Sequence, residues 1–223
     1  MSEIRTHRPA WVGWVPAGIL SVILIGAGIT SVVVIRQGLA EPPPPPDSTQ
    51  VTGPELSLFT DEGLAYIERS RRIRFDLSDP PVRAADLGLP ANGVVEIRPT
   101  ETALDYTVSI FGGGAEPGGL SIRAGELSIE TDDGEIVAVR APLSMGFTVS
   151  EAISKVRADA ETYGWDVSGL DTVVDELGDA TRSGGSYAFS VGPGQAVGVA
   201  VTANAACEAR GCAVQFDVTP RVG

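Results

Sequence analysis

The feature that most constrains this chain is a stretch of 27 residues, Pro9 to Ile35, without a single charged side chain. A helix rises about 1.5 Å per residue, so about 20 apolar residues suffice to cross the roughly 30 Å of hydrocarbon in a bilayer. Ala17 to Ile35 with its flanks supplies one such length and no second. The sequence therefore predicts a single transmembrane helix over 15–36. Trp11 and Trp14 would sit at headgroup level, and Pro16 falls in the first turn, where its missing N–H costs little. Arg5, His7 and Arg8 precede the span, whereas Arg36 and then an acidic chain follow it. Positive-inside reasoning keeps the tail 1–14 in the cytoplasm and puts the remainder outside the cell membrane, as a single-pass protein.

The competing reading is a secretory signal cleaved after Ala40, because Gly38 and Ala40 are small residues in an A-x-A-like pattern. A signal core runs about 7–15 residues, shorter than this stretch, so a retained anchor is the expectation. Small residues four apart, as in Ala17 and Ser21 or Gly26 and Thr30, would let two such helices approach closely. The same residues are ordinary in any membrane helix, and the oligomeric state stays open.

Pro42 to Pro46 is an unbroken proline run, which extends as polyproline II and cannot join a helix or a central strand. Together with the Pro-, Ser- and Thr-rich residues after it, the run defines a stiff linker over 37–54 and an extracytoplasmic domain over 55–223. That outer portion holds nearly all the charge. Only Glu3, Arg5, Arg8 and Arg36 are charged in the first forty residues, so 28 of the 29 acids and 13 of the 16 basic residues lie beyond them. The net charge of -13 argues against nucleic acid as a partner and against a domain lying flat on anionic lipid. A 43% hydrophobic content is enough for a folded core. Many arginines beside the single Lys155, with abundant Ala, Gly and Val, suit a GC-rich bacterial genome.

Along the outer domain, Thr60 to Ile67 reads as a short helix and Ile73, Phe75 and Leu77 as an alternating strand ended by Pro80 and Pro81. Val94–Arg98, Leu104–Phe111 and Leu120–Ala124 are further strands. Leu127–Thr131 and Ile136–Arg140 flank Asp133-Gly134, a pair that tolerates positive φ and suits a two-residue hairpin turn. Val149, Ala152, Ile153, Val156, Ala160 and Tyr163 line one helix face, with Thr148 and Glu151 spaced as a capping box and Gly164 as the stop. A shorter helix runs from Ser168 as cap to Gly178. Strands return at Tyr187–Val191, Gln195–Asn204 and Cys212–Val218. This order predicts an α+β fold: a mostly antiparallel sheet with two helices packed on one face, behind the N-terminal transmembrane helix.

Few residues suggest chemistry. The only histidine, His7, lies in the tail, so the outer domain has no imidazole for a nucleophile–base pair or a typical zinc site. Lys155 stands on the polar face of its helix without a serine arrangement around it. Asp132, Asp133 and Glu135 crowd a hairpin tip but lack the alternating oxygen ligands of a calcium loop. Gly112, Gly113, Gly114, Gly118 and Gly119 have the glycine count of a phosphate cradle without its lysine or its helix, and read as a flexible loop. No motif calls for a metal or a cofactor. Cys207 and Cys212, in C-E-A-R-G-C, read as a disulfide closing a hairpin-like loop in an oxidising compartment.

Arg69, Arg71, Arg72 and Arg74 form the one basic cluster in the acidic domain. They read either as a patch for an anionic partner or as the solvent face of a strand whose other face is Ile73, Phe75 and Leu77. The functional expectation is a non-enzymatic binding or assembly module of the cell envelope, recognising an envelope polymer or another membrane protein. The alternative is a carboxylate-dependent envelope hydrolase, which needs two acids converging in a cleft with at least one raised pKa.

Overall fold

The computed structural model describes residues 45–53, 55–100, 105–113, 118–143, 146–208 and 210–221. The tail 1–14, the span predicted over 15–36 and the start of the linker lie outside these residues. Among the described residues no helix is long and apolar enough to cross a membrane. The strands and helices of the described residues belong to the compact unit Pro46–Gly223.

Pairing starts upstream of Glu55, where β1 (Val51–Thr52) meets β2 (Leu56–Ser57). The first helix, α1 (Asp61–Ser70), is capped by Thr60, whose hydroxyl accepts the Gly63 N–H. Glycine is required at 63, because a Cβ there would stand 2.1 Å from the Leu58 carbonyl oxygen. Arg71 ends α1 in the left-handed region, and its N–H returns to the Ile67 carbonyl at 2.8 Å. The chain then runs straight into β3 (Arg72–Leu77).

A short 3-10 turn (Ala84–Leu87) leads to β4 (Gly93–Ile97), followed by β5 (Tyr106–Gly112), β6 (Gly118–Ala124), β7 (Leu127–Asp132) and β8 (Glu135–Pro142). Asp133 and Gly134, at φ 49° and 80°, make the β7–β8 turn that the sequence predicts. Next come α2 (Val149–Tyr163) and α3 (Leu170–Arg182), and then β9 (Tyr187–Gly194), β10 (Ala200–Glu208) and β11 (Gly211–Thr219). The Thr148–Glu151 capping box and the Gly164 stop of α2 are both present.

The fold is α+β, with a mostly antiparallel arrangement and three helices among the described residues. It differs from the single sheet expected, because the main strands divide into two sheets. One has six strands in the order β4-β7-β8-β11-β10-β9, and the other has three in the order β3-β5-β6. Within the small sheet β3 and β5 run parallel, with β4 between them in sequence contributed to the other sheet. α2 and α3 pack against the β9 to β11 side of the large sheet. Gly178 does not stop α3, which continues to Arg182, where the guanidinium Nε donates to the Gly178 carbonyl at 3.0 Å. β10 begins at Ala200, because Gln195 to Val199 form the turn that comes after β9.

Inward residues of both sheets join one hydrophobic core. Phe59 stacks on Phe75 at 5.3 Å beneath the small sheet. Tyr163 and Trp165 meet Phe216 edge-on, each at 5.6 Å, beneath the large one. The buried Trp165 indole donates to the Val201 carbonyl at 2.7 Å, so its polar atom is satisfied.

Candidate functional site

Strand alternation gives the small sheet a sharply two-sided character. Ile73, Phe75, Leu77, Val108, Ile110, Leu120 and Ile122 are buried, so the residues between them form the outer face. Register sorts that face into three rows. Arg72, Thr107 and Arg123 lie side by side; then Arg74, Ser109 and Ser121; then Asp76, Phe111 and Gly119. Neighbouring strands are about 4.8 Å apart, so the Arg72 and Arg123 backbones stand about 10 Å apart with a hydroxyl between them.

Arg74 pairs with Glu55 at 2.7 Å and lies over the Phe111 ring at 5.3 Å. Asp76 is occupied locally, accepting the Ser78 N–H at 3.0 Å and the Ser78 hydroxyl. Among the described residues neither Arg72 nor Arg123 forms an ion pair. A groove of about 730 Å³ crosses this face beside Arg74, Ser109, Phe111 and Ser121.

The cluster of four arginines is thus divided by the fold. Arg72 and Arg74 reach the outer face, while Arg69 stays on α1 beside Tyr66 at 5.9 Å. Arg71 turns inward, over the Tyr106 ring at 5.7 Å and against Glu68 at 3.1 Å, and its Nη1 is buried without a hydrogen-bond partner. Arg123, distant in sequence, comes into register with Arg72 across Thr107. Its own strand shows it at alternation with Leu120, Ile122 and Ala124, but nothing local points to β3 as a row-mate.

The Glu68 carboxylate ties α1 to the small sheet. It accepts the Tyr106 hydroxyl at 2.7 Å, the Thr100 N–H at 3.0 Å and the Thr100 hydroxyl. The Thr100 and Tyr106 hydrogen bonds, helped by Arg71, hold its pKa down at about 2. Burial and then the Glu68 bond push the Tyr106 phenol up. Burial and then Asp159 raise Tyr163 to about 12. Every carboxylate with a resolved shift among the described residues is lowered, the opposite of what a carboxylic general acid needs near neutrality.

The glycine signal is a close crossing of backbones. A Cβ at Gly112 would stand 2.3 Å from the Val197 carbonyl oxygen, and one at Gly198 (φ +76°) 2.2 Å from that of Gly113. Gly113 N–H in turn donates to Gly198 at 3.1 Å. These glycines lock the small sheet against the turn after β9, so the described part is tightly packed, not loose. Among the described residues no group of three or more His, Cys, Asp or Glu is placed to hold a metal ion.

Cys207 and Cys212 are bonded to each other across the β10–β11 hairpin, both buried, with Cα atoms 4.0 Å apart. Cys212 exchanges both backbone hydrogen bonds with Phe147 on the far side, which makes Cys207 its non-hydrogen-bonded, closer partner. The closed loop is short, so the cross-link contributes about 2 kcal/mol in the chain-entropy model.

Compared with protein-family models, with curated proteins and with solved structures, the chain matches none of them. The functional reading therefore rests on the α+β fold and the chemistry of its surfaces alone.

Proposed function

We propose that this is a single-pass membrane protein whose acidic extracytoplasmic domain is a non-enzymatic binding module, holding an anionic partner on the outer face of β3, β5 and β6. The observation that carries the reading is the Arg72–Thr107–Arg123 row. Six exposed arginines form no ion pair among the described residues, Arg69, Arg72, Arg83, Arg123, Arg210 and Arg221, and of these Arg72 and Arg123 share one row of a sheet face. Surface arginines contribute little to stability but a good deal to association, and their planar donors match phosphate, sulfate and carboxylate oxygens. Thr107, Ser109 and Ser121 add hydroxyls between and beside them.

The uncharged stretch Pro9–Ile35 and the proline run support the anchored, extended placement of this module. The test measures binding of long-chain polyphosphate to the full-length protein in detergent. Arg72→Gln with Arg123→Gln should weaken binding roughly tenfold or more and flatten its salt dependence, whereas Arg69→Gln should change it less than about twofold. Equal affinity for the unmodified protein and the double variant overturns the anionic face.

A further inference from the structure

A second surface, on the far side of β6, goes beyond the anionic face. Thr107 N–H donates to the Arg71 carbonyl at 2.9 Å, so the backbone groups of Thr107 and, by alternation, of Ser109 turn toward β3. The β6 residues opposite them, Arg123 and Ser121, are then not hydrogen-bonded to β5 and direct their own N–H and C=O groups to the outer edge. β6 ends its sheet, and the one bridge described beyond it, Ala124 to Leu143, draws by the same alternation on the outward C=O of Arg123, so the open edge is Gly119, Ser121 and the Arg123 N–H.

That edge is not bare surface. It forms one wall of a slot of about 390 Å³, in which Ser121, Ile122 and Arg123 face Leu143, Phe147 and two residues of α2, Lys155 and Tyr163. An exposed edge strand is a template for an added strand, and a slot with apolar residues in its walls gives alternate side chains a place to sit. Both cations of the slot, Arg123 and Lys155, lie on opposite sides of it. Lys155 is held by Asp159 at 2.5 Å, and Asp105 also lines the space, so among the described residues Arg123 is its one cation without an acid.

We infer that β6 receives an extended segment of a partner protein as a fourth strand of the small sheet, with acidic side chains of that segment meeting Arg123. Backbone bonds to Gly119, Ser121 and the Arg123 N–H supply the affinity, and Arg123 with Phe147 and Leu143 selects an alternating acidic and apolar sequence. The proposal does not depend on a polymer occupying the outer face.

The test uses the full-length protein in detergent and a fluorescein-labelled eight-residue peptide that alternates glutamate with valine. Anisotropy should show saturable binding, lost roughly tenfold or more when one alternate set of peptide nitrogens is methylated and kept when the other set is. Ser121→Pro, which removes an outward N–H at an edge position where proline fits, should weaken the peptide to the same degree, and Phe147→Ala, which alters the slot and not the outer face, should weaken the peptide and leave polyphosphate binding unchanged. Arg72→Gln with Arg74→Gln should do the reverse. If Ser121→Pro does not fold by circular dichroism, the two methylated peptides still decide the matter. Equal binding of both methylated peptides, or of a lysine–valine peptide, overturns the inference. So does a dimer in sedimentation that Ser121→Pro dissolves, which would assign the edge to a second copy.

Discussion

The outer faces of the two sheets treat arginine in opposite ways. On the large sheet Arg140 lies between Glu130, with which it pairs, and Asp217 at 3.9 Å. Arg98, just past β4, bridges Glu96 at 3.0 Å and Glu126 at 2.9 Å. On the small sheet only Arg74 has an acid, and among the described residues Arg72 and Arg123 have none. On the function proposed above, two open arginines sharing one face, beside hydroxyls and the exposed Phe111, are the binding surface, and the paired arginines of the large sheet serve the fold.

A contrast between faces has meaning only if both sheets belong to one cooperative body. Phe75 is fully buried in the small sheet and stacked on Phe59, so Phe75→Ala should cost about 3–5 kcal/mol. Because the two inner faces share one core, thermal unfolding followed by tryptophan fluorescence in a Trp11→Phe, Trp14→Phe background, which leaves Trp165 beneath the large sheet as the reporter, should shift together with far-UV circular dichroism. A fluorescence transition that stays in place would show the small sheet melting alone, and its open arginines would then belong to a separately folding lobe.

A smaller effect is expected at the latch between α1 and the small sheet. Glu68 has its pKa depressed to about 2 in the folded chain, against an ordinary 4.5. A depressed carboxylate contributes stability above its unfolded pKa, and that contribution fades as pH falls toward the folded value. Glu68→Gln should therefore be less stable than the unmodified protein at neutral pH, with the gap closing between about pH 4.5 and pH 2. Urea midpoints at several pH values measure it. A gap that is constant with pH would mean that the Thr100 and Tyr106 bonds do not depend on the charge.

Signals confined to a few residues were legible in the sequence. Asp133-Gly134 made its turn, Thr148 and Glu151 made their capping box, and Cys207 found Cys212, because each outcome is decided within a handful of positions. Gly178 misled because a helix interior tolerates one glycine at about 1 kcal/mol when packing of Leu170 and Leu177 continues to favour the helix. The division into two sheets and the parallel β3–β5 pair depend on which strands meet across long separations, and periodicity carries no such information. The site suffered most from this. Four arginines adjacent in sequence scattered to α1, to the inward latch and to β3, while the row-mate Arg123 arrived through register alone. Gly112 and Gly118 carried a real signal whose cause, contact with Val197 and Gly198, lies more than seventy residues away.

The smallest effect in energy is the sharpest for the contrast between the faces. Arg140 is about one-third exposed and flanked by two acids, so Arg140→Gln should destabilise the domain by about 0.5 kcal/mol, within the range of partly screened surface pairs. High salt should shrink that loss, since screening weakens the pair it removes. Arg72→Gln with Arg123→Gln breaks no pair among the described residues, so the double variant should stay within about 0.5 kcal/mol of the unmodified protein at low and high salt alike. Urea unfolding of both variants at two ionic strengths reads the difference directly. Were the Arg72 and Arg123 variant to lose stability in a salt-dependent way, its arginines would be engaged in the folded chain, and the small-sheet face would be no more open than the large one.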